Sequence, residues 1–270
     1  MSNAFAPSLP KREGDSHKGD YGKVLIVAGS VGLGGAALLC AKACVRSGAG
    51  LTALAAPQDL LTAAMVYCPE AMSFPQSLGA VLDKLEWASV CAFGPGLGMT
   101  SETRKLTAAL IRESKIPLII DADGINALAE RIYLLDSAKS AIVLTPHEGE
   151  FRRLAPKYTG SREERAARFA GEHNCIVVLK GAGTVTAFPD GEIVVNSTGG
   201  PGMAKGGSGD ALTGVIAALT AQFPPISAVP AAVYLHGLAG DLAAAEFGEY
   251  SMTPSDLIEK LPEAFKRITR

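Results

Sequence analysis

The sequence predicts an α/β fold, a single domain built on a central, mostly parallel sheet flanked by helices. Three observations lead there. Continuous apolar, β-branched runs such as Lys23 to Ala28 (KVLIVA) and Cys175 to Leu179 (CIVVL) have the character of strands buried on both faces of a parallel sheet. Five times a run of this kind closes in a loop of Gly, Asp, His or Thr, and a helix or a turn follows. Between Asn196 and Asp210, six glycines fall in fifteen residues, with an extended run before them and an apolar helical run after.

In chain order, the first strand runs into Gly29-Ser30-Val31-Gly32-Leu33-Gly34-Gly35 and then a helical pattern from Ala36 to Ser47. The glycine spacing is not the dinucleotide-binding GxGxxG, and the next strand, Leu51 to Ala55, lacks the acidic end that would hold a ribose. Ala88 to Phe93 is the next buried strand and ends in Gly94-Pro95-Gly96-Leu97-Gly98. Thr100, Ser101 and Glu102 then supply a cap and an acidic first turn for a helix reaching Glu113. Pro117 to Ile120 closes on Asp121-Ala122-Asp123-Gly124-Ile125-Asn126-Ala127-Leu128, and Ala141 to Leu144 on Thr145-Pro146-His147-Glu148-Gly149-Glu150. A charged helix, Ser161 to His173, leads to Cys175–Leu179 and the loop Lys180-Gly181-Ala182-Gly183-Thr184. Thr184 to Phe188 and Glu192 to Asn196, joined by Pro189-Asp190-Gly191, read as a β-hairpin that adds antiparallel strands to the sheet. Ala228 to Gly248 and Pro254 to Ile268 read as Ala-rich helices. No composition break divides the chain, so the expected organisation is a polar N-terminal segment, 1–22, and one domain, 23–270.

A chain of 270 residues, 48% hydrophobic, can bury a large core. A formal charge of −2 without a dense Lys/Arg block gives no support for nucleic acid as a partner. No apolar run approaches the length of a membrane span, so no membrane partner is expected. The polar N-terminus lacks the apolar stretch of a secretory signal. Five cysteines, Cys40, Cys44, Cys68, Cys91 and Cys175, form no CxxC pair and sit among apolar neighbours. They read as buried free thiols in a reducing, cytoplasmic compartment.

The polar loops gather at the carboxyl ends of the strands, where open α/β sheets bind ligands. A helix starting near Asp210 aims unpartnered N–H groups into the glycine loop, and such a place binds anions, usually phosphate. Asp210 lies where the helix field is most positive, which predicts a carboxylate held ionised and able to act as a base. The alternative is a flexible loop with Asp210 as a helix N-cap.

Taken together, Gly29 to Leu38, GPGLG at 94–98, DADGINAL at 121–128, TPHEGE at 145–150, Lys180-Gly181 with Thr184, and Asn196 through Leu212 resemble the ribokinase-like superfamily. Within it they are most similar to the ADP/ATP-dependent NAD(P)H-hydrate dehydratases in their free-standing bacterial form, in order over most of the chain. The resemblance implies a ribokinase-like sheet and ADP-dependent dehydration of hydrated NADH or NADPH (NADHX, NADPHX), giving NAD(P)H, AMP and phosphate. It implies Mg²⁺ as cofactor and ADP, or ATP, as co-substrate. Carried over by residue, Asp210 would take the proton of the substrate hydroxyl, and Gly206, Gly207, Ser208 and Gly209 would form the anion hole. Lys180, Gly181, Ala182, Gly183 and Thr184, with Gly209, would hold the nucleotide. Ala37, Gly96 and His147, with Asp210, would line the hydrate pocket. His147 is alternatively a structural histidine fixing its loop. Asp121, Asp123 and Asn126 would position magnesium or neighbouring loops, with Asp123 as helix N-cap the other reading. Metal ligands are not assigned. Lys205 stands where relatives often carry a small polar residue and would bear on nucleotide choice. His236 reads as a packed core histidine, while His17 and His173 are unassigned. The family's oligomers imply a homotetramer. With only about twenty residues before the first strand, the epimerase acting on the same hydrates is expected as a separate protein.

Two other functions share some of these features. A small-molecule kinase of the same fold, acting on a vitamin alcohol, fits the glycine–Asp loop. A non-catalytic dinucleotide-binding module built on Gly29 to Gly35 leaves Asp210 without a purpose.

Overall fold

The computed structural model describes residues 5–270. In chain order its elements are β1 (Lys23–Val27), α1 (Gly34–Arg46), β2 (Leu51–Ala56), α2 (Leu61–Tyr67), β3 (Met72–Pro75), α3 (Leu78–Leu85), β4 (Val90–Phe93), α4 (Ser101–Glu113), β5 (Leu118–Ile120), α5 (Ala122–Ala129), β6 (Ile142–Leu144), α6 (Glu148–Leu154), α7 (Arg162–Glu172), β7 (Ile176–Leu179), β8 (Val185–Ala187), β9 (Ile193–Val195), α8 (Ser208–Thr220), α9 (Pro225–Phe247) and α10 (Pro254–Ile268). The strands form one sheet in the order β3-β2-β1-β4-β5-β6-β7-β8-β9. All pairings from β3 to β7 are parallel; β7–β8 and β8–β9 are antiparallel, as the hairpin pattern predicts.

Buried strands alternate between two cores, because successive side chains point to opposite faces. Val24 and Ile26 enter one core with α1, α8, α9 and α10, whereas Leu25 and Val27 enter the other with α3, α4, α5 and α7. On the first face α8 packs directly on α1. A Cβ at Gly214 would lie 2.2 Å from the Cys40 carbonyl oxygen, so only glycine lets the helices approach this closely. That contact seats the first turn of α8 over the carboxyl ends of the central strands.

Three elements between Pro57 and Trp87 leave no clear pattern in the sequence: α2, β3 and α3. β3 is a four-residue edge strand without a buried residue, so it lacks the apolar run that marks the others. The expectation that no apolar run reaches membrane length is corrected by α9, which at 23 residues is long and apolar enough by composition. Two thirds of its most apolar window is buried inside the protein, against α8 and α10, which makes it a core helix. The N-terminal segment packs onto the domain's other end: Leu9 N–H donates to the Ile268 carbonyl and Arg270 N–H to the Leu9 carbonyl.

Candidate active site

The order of strands reverses between β1 and β4, and the loops after these two strands are tied together, Gly29 N–H donating to the Pro95 carbonyl at 2.8 Å. Over the ends of β5, β6 and β7 lies a cavity of about 800 Å³. Its wall includes Asp121, His147, Glu150, the loop Lys180 to Thr184, and the glycine loop through Asp210.

Gly207 is the N-cap of α8 and has φ +102°, a left-handed conformation that favours glycine, and a Cβ there would strike Leu39 Cδ1 at 2.6 Å. This turn leaves the N–H groups of Gly207, Gly209 and Asp210 without a backbone acceptor among the described residues. They form the positive end of a thirteen-residue helix. Asp210 follows in the first turn, half-buried and facing the cavity.

The Lys180 ammonium lies close beside this turn, 3.3 Å from where a Cβ on Gly209 would be. It donates to Asp121 Oδ1 at 2.7 Å and stands 3.9 Å from Glu150 Oε2. The other Asp121 oxygen accepts from the Thr213 hydroxyl at 2.7 Å, tying β5, β7 and α8 together. Burial works against the charge on Lys180, but Asp121 and Glu150 outweigh it and hold its pKa above the ordinary value. Asp210 is affected in the opposite sense from the expectation that the helix field keeps it ionised. Burial first, then the Asp121 charge, raise its carboxyl to about 6; Lys180 lowers it only in part. The correction has a simple cause: the carboxyl is partly buried, and the carboxylates of Asp121, after β5, and Glu150, in α6, face the same space. The result is a carboxyl whose proton affinity lies close to neutrality, the range a general base needs.

His147 caps its helix and borders the cavity as well. Its Nδ1 accepts N–H bonds from Gly149 at 2.9 Å and Glu150 at 3.2 Å, while Glu150 Oε2 accepts from the His147 N–H, a reciprocal cap on α6. An accepting Nδ1 places the proton of the neutral ring on Nε2. The ring also lines the cavity. Its strand continues beside Lys180, whose N–H donates to the Pro146 carbonyl.

Gly206, Gly207, Ser208, Gly209, Asp210 and Lys180 to Thr184 are therefore brought together with His147. Ala37 and Gly96 are not: Ala37 is fully buried under Gly29, and Gly96 packs against Leu33 and Ala36, where the loops after β1 and β4 meet. Asp123 is not the N-cap of α5, a position that belongs to Asp121. Its Oδ2 accepts from Gly98 N–H and so joins the loops after β4 and β5. Lys205 lines the cavity, but its ammonium is engaged by the carbonyls of Tyr250 and Met252. His236 is buried as expected, yet it also lines the cavity and bonds the Ser208 carbonyl at 2.9 Å; burial lowers its pKa to about 4, so it is neutral. Thr213 and Arg162 carry no signal in the sequence. Thr213 lies inside an apolar helix and Arg162 inside a charged one, and neither pattern marks them. A second cavity of about 750 Å³, where α1, α8 and α10 end, contains none of these groups.

A family model described as NAD(P)H-hydrate dehydratase matches residues 24–263. The ADP-dependent (S)-NAD(P)H-hydrate dehydratase of Bacillus subtilis is 36% identical over 267 residues, 96% of this chain and 95% of that protein. The bifunctional NAD(P)H-hydrate repair enzyme Nnr of Moorella thermoacetica is 41% identical over 96% of this chain and 52% of its own. The chain thus spans about half the length of the bifunctional relatives it matches. Among solved structures, the ADP/ATP-dependent NAD(P)H-hydrate dehydratase from Bacillus subtilis co-crystallised with ATP/Mg²⁺ superposes with a TM-score of 0.88 at 36% identity, covering 97% of this chain and 95% of that one. A ribokinase-like superfamily protein from Enterococcus faecalis gives 0.87 at 31% identity, covering 97% and 93%. The fold is ribokinase-like, as the sequence resemblance implies.

Proposed function

The chain belongs to the NAD(P)H-hydrate dehydratase family, and from that premise we propose that it uses ADP to dehydrate NADHX and NADPHX, returning NAD(P)H, AMP and phosphate. The observation that carries the proposal is the pairing of Asp210, a half-buried carboxyl raised to about 6, with unpartnered N–H groups at the same helix start and the Lys180 ammonium beside it. Hydroxide leaves the hydrated ring poorly and phosphate leaves well, so phosphorylation comes first.

Asp210 accepts the proton of the C6 hydroxyl as its oxygen attacks the terminal phosphorus of ADP. The bond from that phosphorus to the bridging oxygen breaks and AMP departs. The N–H groups of Gly207 and Gly209 and the Lys180 charge face the anionic oxygens that this transfer loads. The C6–O bond then breaks with its electron pair on phosphate, the ring-nitrogen lone pair assists, and loss of the C5 proton restores the dihydropyridine. Lys180 to Thr184 hold the AMP portion, and His147 faces the nicotinamide end, with Ala37 and Gly96 beyond the cavity wall, where the loops after β1 and β4 meet.

Magnesium is expected with the nucleotide, but these side chains do not form a cage for it. Asp121 is taken by Lys180 and Thr213, Asp123 by Gly98 and Asn126. The ion is proposed to arrive on the nucleotide phosphates, as Mg²⁺ commonly does, and no step is assigned to it. Cytoplasmic location, in keeping with five buried free thiols, and action beside a separate epimerase belong to the same reading. Assembly as a homotetramer does too; the exposed Met65, Val66 and Met72 near the sheet edge favour association.

Mixing the protein with chemically hydrated NADH, ADP and Mg²⁺ tests the function. Return of the dihydropyridine absorbance with stoichiometric AMP and phosphate supports it. A phosphorylated product that keeps its phosphate, from a vitamin alcohol, establishes the small-molecule kinase instead.

A further inference from the structure

Arg162, the first residue of α7, lies behind the Lys180–Thr184 loop rather than in the cavity. Its Nη1 donates to the Ala182 carbonyl at 2.7 Å and more weakly to the Gly183 carbonyl at 3.4 Å, and its Nη2 donates to the Leu179 carbonyl at 2.8 Å. Its Nε donates to Glu148 Oε1 at 3.1 Å, and Arg165 holds the same carboxylate from the other side. The fork therefore spans the end of β7, the loop and the start of α6.

In a trans peptide, the carbonyl and the following N–H point in opposite directions. A guanidinium that draws the Ala182 and Gly183 carbonyls toward itself turns the N–H groups of Gly183 and Thr184 the other way. Neither N–H has a backbone acceptor among the described residues, and both residues line the cavity. The loop cannot fill this role through its own bonds alone. Its internal tie, between the Thr184 hydroxyl and Gly181, fixes the span of the turn but makes no bond to the Ala182–Gly183 peptide. Gly181 fits the same picture, since a Cβ there would meet Arg162 Nη2 at 2.8 Å.

We infer that Arg162 is a positioning residue for the nucleotide: by gripping the loop's carbonyls from behind, it presents the Gly183 and Thr184 N–H groups to an anionic group of the bound nucleoside diphosphate. The inference rests on the reading of this loop as the nucleotide site. Its bond to Glu148, which directly follows His147, joins the nucleotide loop to the His147 helix cap.

The test uses Arg162→Met, which keeps most of the side-chain stem but no donor, and Arg162→Lys, which keeps the charge but cannot span two carbonyls. ADP affinity is measured by calorimetry, and KM for ADP and for the hydrate in turnover. Arg162→Met should weaken ADP by roughly 10-fold or more, as expected when an aligned pair of charge-assisted bonds no longer orders the site. Arg162→Lys should fall between it and the wild type, and KM for the hydrate should stay within about twofold for both, the sign of a loss confined to nucleotide binding. A folded Arg162→Met that binds ADP within about twofold of the wild type overturns the inference. So does an equal rise in both KM values, which is what general loosening produces. If Arg162→Met fails to fold, Arg162→Lys carries the test, and wild-type ADP affinity in it overturns the inference. A wild type that does not bind ADP refutes the nucleotide reading of the loop itself.

Discussion

At the scale of single residues, Asp210 carries the most chemistry and the greatest cost. A carboxyl raised to about 6 in the folded protein binds its proton more tightly there than in the unfolded chain. The stability it contributes is fully present below the unfolded value of about 3.9 and is lost as pH rises through about 6. At neutral pH its ionised form therefore costs on the order of 2–3 kcal/mol. Asp210→Asn should raise Tm by about 5 °C at pH 7.5 and by little at pH 4, as scanning calorimetry would show. The same value sets the acid limb of kcat/KM near pH 6, with activity falling below it as the base takes its proton. The base was legible in the sequence from the helix start, but the direction of its pKa was not: burial and the charges of Asp121, after β5, and Glu150, in α6, reach Asp210 only through the fold. His147 separates in a similar way into cap and pocket. His147→Ala should lose about 1 kcal/mol of cap stability and raise KM for the hydrate. His147→Asn, a good N-cap, should recover most of the Tm but not the KM. Recovery of both would reduce the imidazole to a cap.

Among the elements, α8 decides where the unpartnered N–H groups of Gly207, Gly209 and Asp210 lie, and its contact with α1 decides where α8 lies. Gly214 sits at that crossing, where an added methyl group would meet the Cys40 carbonyl oxygen at 2.2 Å and the Cys44 nitrogen at 2.9 Å. Gly214→Ala should cost about 1–3 kcal/mol, the usual penalty for overpacking a core, and should lower activity by moving the first turn of α8. Gly206→Ala is the contrast, because open space surrounds that position and stability should hold. Equal Tm values for the two variants in thermal melts would contradict the packing argument. The strands that build this arrangement were readable because burial on both faces leaves continuous apolar runs, from KVLIVA through CIVVL. β3, with no buried residue, and the short helices α2 and α3 gave no such run. The loops could be placed at the strand ends, but not their cross-links: Asp123 to Gly98, Lys205 to the turn before α10, and Arg162 behind Lys180 to Thr184.

For the molecule as a whole, the strand ends at one edge carry both the packed junction of the loops after β1 and β4, with Gly29, Gly96 and Ala37, and the cavity over β5 to β7, bordered by Lys180 to Thr184 and the start of α8. Under the proposed function, transfer from ADP to the hydrate requires both ligands to meet at Asp210, which belongs to the cavity wall and follows the glycine loop. The most direct measurement is a comparison of wild type and Asp210→Asn with hydrated NADH, ADP and Mg²⁺, following NADH, AMP and phosphate in the same sample while ADP affinity is measured separately. The expected result is ADP binding retained or tightened, with NADH recovery and phosphate release falling together by roughly 10²–10⁴-fold, the contribution of a positioned general base. Wild-type turnover in a folded Asp210→Asn, or accumulation of a phosphorylated hydrate, would contradict the role of Asp210 in the first step.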